Sequence, residues 1–218
     1  MSELLTDKYS LAQYNELLEG ASATEVVSWV LARAKRPMVT TSFGKHAAVL
    51  LDIVTRVRPD VPVVWVDHGF NTRATYQFAH DLIAALDLNI QIFAPSHSSA
   101  WITASLGGVP DIGDPQHAEF TRRVKLEPFD RALSTITPDV WLTGIRSEET
   151  SLRASLETLS LDGRGILKAA PLLAWQEAEM DAYLATHNLP SESNYFDPTK
   201  GIEGRECGLH QVDEASAA

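Results

Sequence analysis

Val61-Pro62-Val63-Val64-Trp65-Val66 is apolar without interruption, and that continuity is the tightest constraint this chain places on its fold. A strand with one solvated face alternates apolar and polar residues. A strand without alternation is covered on both faces, as in the parallel sheets of α/β proteins. Met38–Ser42, Ile90–Phe93 and Val140–Thr143 read as further short strands, and helical patterns run over Ala47–Val57, closed by Pro59, and Tyr76–Leu86. Two amphipathic helices, Leu11–Gly20 and Glu25–Lys35, come first, with Ser10 and Ser22 or Thr24 as N-cap candidates. Strands alternating with helices predict an α/β fold, an open and mostly parallel sheet with helices on both faces.

Beyond Ala94 the pattern loosens. Ala100–Leu106 reads as a short helix and Gly107–Pro115 as a loop, while Phe120–Val124 and Pro128–Leu133 are helical on either side of Lys125-Leu126-Glu127. Leu156–Leu161 and Ile166–Ala170 flank Asp162-Gly163-Arg164-Gly165, the signal of an outlying β-hairpin. Ala178–His187 is the last helix, and from Asn188 the chain is polar and irregular. The organisation expected is N-terminal helices (1–36) packing on a main α/β domain (37–190), with a C-terminal tail (191–218).

The formal net charge of −11 argues against general binding to a nucleic-acid backbone, which needs a basic surface. No apolar run reaches bilayer-spanning length, and Met1–Lys8 lacks a basic stretch followed by an apolar one, so a cytoplasmic protein is expected. One cysteine in 218 residues, Cys207, fits a reducing compartment and can form neither an intramolecular disulfide nor a cysteine-rich metal cage. Free cysteine is often a small buried hydrophobe. Here Arg205, Gly208 and His210 surround it, and a neighbouring cation lowers a thiol's pKa towards the reactive thiolate. On the residues alone both readings stand.

In open parallel sheets ligands sit beyond the carboxyl ends of the strands. Three polar segments fall there. Thr41-Ser42-Phe43-Gly44-Lys45 is a strand-to-helix turn whose N–H groups favour an anion, and it is also what any βα turn looks like. Val66-Asp67-His68-Gly69-Phe70 follows the second strand, with His68 read as a polar loop residue bonded to backbone. Thr143–Arg153 carries Arg146 and Arg153, which can hold phosphate or sulfate oxygens in bidentate fashion or pair with Glu148 and Glu149.

Glu206-Cys207-Gly208-Leu209-His210 resembles the signature of the phosphoadenylyl-sulfate (PAPS) and adenylyl-sulfate (APS) reductases. Further matches run in the family's order. Ser42-Phe43-Gly44 resembles its modified PP-loop, and lacks the Gly-Gly and Asp with which related enzymes cleave ATP. Asp67-His68-Gly69 is similar to Asp-Thr-Gly, Lys125-Leu126-Glu127-Pro128 to Lys-x-Glu-Pro, and Gly144-Ile145-Arg146 with Arg153 to a Gly-x-Arg…Arg segment. Two departures stand out: His68 replaces a threonine, and the family's Gly-Tyr-x-Ser-x-Gly-Asp covering motif is absent, with Tyr195, Thr199 and Lys200 in that part of the chain.

The resemblance implies an adenine-nucleotide α-hydrolase-like fold and reduction of PAPS to sulfite, with Cys207 as the nucleophile. It implies substrate contacts from Ser42, Phe43, Gly44, Lys45, Asp67, Gly69, Lys125, Gly144, Arg146, Arg153, Arg205 and His210. Thioredoxin or glutaredoxin would be the external reductant, a homodimer is possible, and no cofactor or metal is expected. APS-using relatives hold a [4Fe–4S] cluster with a cysteine pair and Cys-x-x-Cys, which a single cysteine cannot reproduce. A cluster-free APS reductase and an adenine-nucleotide-binding module without reductase activity are the alternative readings.

Overall fold

The computed structural model describes residues 8–200. Helices α1 (Lys8–Leu17) and α2 (Ala23–Leu31) open the described chain. Ser22 caps α2: its hydroxyl accepts from the Glu25 N–H, and the Glu25 carboxylate accepts from the Ser22 N–H at 2.8 Å, a reciprocal capping box. Then follow β1 (Pro37–Thr41), α3 (Ala47–Val57), β2 (Val63–Val66), α4 (Arg73–Ala85), β3 (Ile90–Phe93) and α5 (Ser99–Leu106). Helix α6 (His117–Thr121), a π-helical turn (Arg122–Leu126) and α7 (Glu127–Ile136) lead into β4 (Val140–Leu142). Two 3₁₀ turns (Ser147–Glu149 and Arg153–Ser155), β5 (Leu159–Leu161), β6 (Leu167–Ala169) and α8 (Glu177–Thr186) complete the order.

The six strands form one sheet in the order β3-β2-β1-β4-β6-β5, parallel throughout except for β5. Alternation along each central strand explains the two-sided cover. Val39, Val63, Trp65, Val140 and Leu142 join α2, α3, α4 and α8 in the larger core, whereas Met38, Val64 and Trp141 meet Phe129, Ala132 and Leu133 of α7 on the other face. The uninterrupted run at 61–66 is therefore one of a strand buried from both sides, as read from the sequence.

Two local expectations change. The segment expected as an outlying hairpin belongs to the main sheet, where β6 pairs in parallel with β4 through Val140↔Leu167 and Leu142↔Ala169. Leu167 and Ala169 are buried as deeply as β4 itself, so sheet extension covers apolar surface that a free hairpin would expose. The helical pieces around Lys125 are also continuous rather than broken. Pro128 has no N–H to give the carbonyl four residues earlier, and just before it the Glu127 N–H reaches five residues back to the Arg122 carbonyl. The widened turn carries the chain through the proline and turns Lys125 inward, where it is buried. Among the described residues, no helix is long and apolar enough to cross a membrane.

Candidate functional site

The chain builds β1, β2 and β3 outward in one direction and then returns to lay β4 on the opposite side of β1. Such a reversal leaves a crevice at the carboxyl ends of β1 and β4, the place where α/β sheets take ligands. A cleft of about 810 Å³ lies there. Thr41 lines it from the end of β1, Ser42, Gly44 and Lys45 from the turn that follows, His68 and Asn71 from the loop after β2, and Lys125 from the π turn. Gly144, Arg146, Glu148, Glu149 and Arg153 line it after β4, and Tyr195, Asp197 and Lys200 from the irregular C-terminal segment.

The turn after β1 is shaped by Phe43, which has a left-handed φ of 52°. The Thr41 hydroxyl accepts from the Phe43 N–H at 3.1 Å, and the ring packs edge-on against Trp65, 4.9 Å between centroids, fully buried. Phe43 therefore anchors the turn from beneath and offers no side chain to the cleft. Its neighbours do line it, and α3 starts there without a side-chain cap, so the positive end of the helix dipole faces the cleft and favours an anion. Lys45 reaches Glu177 at 2.5 Å and Asp181 at 3.5 Å. His46, Glu177 and Asp181 converge closely enough to hold a cation, but Lys45 already supplies a positive charge to both carboxylates.

In the loop after β2, Asp67 is a structural hub. Its Oδ1 accepts from the Gly69 N–H at 3.0 Å, Asn71 Nδ2 at 2.9 Å and the Tyr76 hydroxyl at 2.8 Å. Burial and that carboxylate push the Tyr76 phenol up to about 12. Gly69 holds φ +79°, a conformation glycine adopts without a Cβ penalty. Neither Asp67 nor Gly69 lines the cleft; both shape the loop that presents His68 and Asn71 to it. His68 Nδ1 accepts from the Phe70 N–H at 3.1 Å, the backbone bond expected of it, so the ring proton is on Nε2. Burial pulls its pKa down and keeps the ring neutral.

Lys125 enters from the π turn. Its ammonium is paired with Asp197 and lies 3.4 Å from the Thr199 hydroxyl. Both partners are buried, with 7% and 1% of their side chains exposed. The Thr199 N–H and hydroxyl donate to Asp197 Oδ1 at 3.0 and 2.6 Å. Burial alone would raise the Asp197 carboxyl; the charge of Lys125 and these hydrogen bonds outweigh it and hold it down at about 2. The same segment reaches the far wall: a methyl group on Gly44 would lie 3.6 Å from the Tyr195 ring, and the Thr72 hydroxyl donates to the Asn194 carbonyl at 3.2 Å. Residues 194–199 thus strap the cleft from the β2 loop to the π turn.

Arg146 and Arg153 bring two guanidiniums to the cleft from the segment after β4, both buried. Arg146 pairs with Glu148 and lies 3.7 Å from Glu149; Arg153 pairs with Glu149. The carboxylate pairing considered from the sequence is present, yet the guanidiniums sit in the cleft wall, not on an open surface.

Of the residues singled out by resemblance, the fold gathers Ser42, Gly44, Lys45, Lys125, Gly144, Arg146 and Arg153 into one cleft. Arg205, Cys207 and His210 lie outside the described residues. Asp197 escaped sequence reading. Asp-Pro-Thr is a recognisable turn-former, but nothing local pairs it with Lys125, 72 residues away.

Known proteins resemble this chain in sequence and in fold. A family model described as the phosphoadenosine phosphosulfate reductase domain matches residues 36–202. A relative from Sodalis glossinidius, named phosphoadenosine 5'-phosphosulfate reductase, is 36% identical over 93% of this chain and 92% of its own. One of the same name from Yersinia pseudotuberculosis is 38% identical over the same shares. Among solved structures, a phosphoadenylyl-sulfate reductase from Candida auris superposes with a TM-score of 0.74 at 23% identity, covering 85% of this chain and 89% of that one. An FMN adenylyltransferase from Candida glabrata reaches 0.57 at 14% identity, over 87% and 61%. The sheet is that of the PP-loop, adenine-nucleotide α-hydrolase-like fold. On the matched span and the identity across nearly the whole chain, this protein belongs to the phosphoadenosine phosphosulfate reductase family.

Proposed function

We propose that the chain reduces PAPS to sulfite and adenosine 3′,5′-bisphosphate in assimilatory sulfate reduction, with thioredoxin or glutaredoxin as reductant. The observation that carries this reading is the convergence of Lys125, Arg146 and Arg153 with the β1–α3 turn on one cleft at the switch point of the sheet. These are the groups a substrate with two phosphates and a sulfuryl group requires. Ser42, Gly44 and the α3 N-terminus would take one phosphate, and the three cations would take the rest of the charge, Lys125 nearest the strap.

Cys207, as thiolate, attacks the sulfuryl sulfur. The S–O bond to the 5′-phosphate breaks, its electron pair leaves on adenosine 3′,5′-bisphosphate, and an S-sulfonate remains on Cys207. Arg205 and His210 flank the thiol in sequence, and a cation beside it favours the thiolate. Arg146 and Arg153 stabilise the charge gathering on the departing phosphate. One thiolate of the reductant then attacks the Cys207 sulfur and expels sulfite, and its second thiol resolves the mixed disulfide. The two electrons that reduce the sulfuryl group thus come from the external dithiol. The chain's single cysteine makes that outside partner necessary, and for the same reason the catalyst acts without a cysteine-bound iron–sulfur cluster.

The test is sulfite release with PAPS and APS in parallel, thioredoxin supplied. Turnover with PAPS is expected; turnover confined to APS would reverse the substrate, and none with either would leave a nucleotide-binding module. Arg146→Ala is expected to weaken adenosine 3′,5′-bisphosphate binding by roughly one to two decades, since a charge-assisted hydrogen bond contributes about 1.5–3 kcal/mol. Isothermal calorimetry reads this directly, and unchanged affinity would place the phosphate elsewhere.

A further inference from the structure

We propose that Glu149 is an internal competitor for the substrate's oxyanion and so decides which anions Arg146 and Arg153 accept. The inference rests on the reductase reading above, in which those guanidiniums hold a phosphate or sulfuryl group. One carboxylate sits between two cations. Glu149 Oε2 pairs with Arg153 Nη1 and accepts from the Arg146 N–H at 3.2 Å, while Oε1 lies 3.7 Å from Arg146 Nη2. All three residues line the cleft. Two guanidiniums closing on oxygens of one anion is the arrangement that suits phosphate and sulfate.

The exposures separate the fixed members from the movable one. The Arg146 and Arg153 side chains are 10% and 6% exposed, whereas Glu149 is 35% exposed. A buried cation without counter-charge is costly, and Glu149 supplies that charge in this conformation. Its own carboxylate is already partly hydrated and can turn to water at little desolvation cost. The backbone beneath it is one 3₁₀ turn, Ser147–Glu149, with the Glu149 N–H donating to the Arg146 carbonyl at 3.3 Å. The arginines stay and the carboxylate leaves.

Two consequences follow from that asymmetry. Apparent affinity is the intrinsic affinity reduced by the fraction of molecules in which Glu149 has left the pair. A ligand without a full oxyanion at this point cannot displace the carboxylate, so Glu149 selects by charge. Glu149→Gln keeps an oxygen for the Arg146 N–H and removes the competing charge. Calorimetry at fixed salt is expected to show adenosine 3′,5′-bisphosphate binding about ten-fold more tightly to Glu149→Gln, the equivalent of one charge-assisted hydrogen bond. Glu148→Gln, which relieves Arg146 of one carboxylate, is expected to give a smaller gain, and affinity for uncharged adenosine is expected to be unchanged in both.

Unchanged or weaker bisphosphate binding by Glu149→Gln at an unaltered melting temperature overturns the proposal and makes Glu149 a support for the arginines. An equal gain for adenosine overturns it as well. If Glu149→Gln melts early, Glu149→Asp decides: its shorter reach to the guanidiniums predicts a gain, and a loss refutes competition. The reductase reading fails separately, if the unmodified protein binds no bisphosphate or if Arg146→Ala binds it normally; the first result would remove the proposal too.

Discussion

Cys207→Ser is expected to abolish sulfite production while leaving affinity for adenosine 3′,5′-bisphosphate unchanged. A serine hydroxyl stays protonated at neutral pH, whereas a cysteine beside a cation reaches the thiolate. No second thiol exists in the chain to take over. The cleft cations proposed to bind the nucleotide are contributed by residues 45 to 153, well removed in sequence from position 207, so binding and chemistry separate. Parallel calorimetry and sulfite assays read the two effects. Turnover by the serine variant at the rate of the unmodified chain would remove Cys207 from the mechanism.

Asp197→Asn is expected to lower stability at neutral pH by about 3–5 kcal/mol, the usual cost of removing one partner from a buried ion pair. Asparagine keeps an acceptor for Thr199 but leaves the Lys125 ammonium buried without its counter-charge. The pH dependence gives a second reading. The Asp197 carboxyl sits at about 2 in the folded chain, below its ordinary value of 3.8. A depressed carboxyl contributes stability above its unfolded pKa and loses it as pH falls through the folded one. The contribution, about 2.5 kcal/mol for a shift of this size, is therefore whole above about pH 4 and gone near pH 2. Urea melts from pH 6 downward should show the difference between the two proteins shrinking across that window. A constant difference would mean that the pair contributes through shape, not charge.

The sheet was legible because its evidence is local. The run 61–66 and the alternation of short apolar segments with helices specify a parallel α/β sheet before any contact is known. What was misplaced depends on contacts between distant segments. The β5–β6 turn reads as a hairpin on either side of Asp162, and only the pairing of Leu167 with Val140 puts it in the main sheet. Pro128 suggests a break in the helix, and the π turn that absorbs it appears only with the hydrogen-bond pattern. Phe43 shows the limit at the site: a loop residue within a recognised motif, it is held in the core by Trp65 and Phe78. Asp67 likewise spends its Oδ1 on Gly69, Asn71 and Tyr76, so the motif position marks a loop scaffold, while His68 and Asn71 line the cleft.

The strap gives the tail a physical starting point. Tyr195 against Gly44 and Asp197 on Lys125 fix residues 195–199 across the cleft, and Cys207 follows a few residues later in sequence. The Lys125 position that the resemblance assigns to the substrate anion is thereby also the anchor of the strap. Lys125 and Asp197 join the cleft wall to the strap in one buried pair.

Transfer of the sulfuryl group to Cys207 can be read by intact-mass spectrometry. The full chain is mixed with PAPS and no thioredoxin. With no internal thiol to resolve it, the reaction should stop after one turnover, adding the mass of one SO₃ group, mapped by peptide analysis to the segment containing Cys207. Reduced thioredoxin should then remove the adduct and release an equal amount of sulfite. A chain that turns PAPS over with thioredoxin yet carries no adduct at any time, or carries it on another residue, would contradict the account.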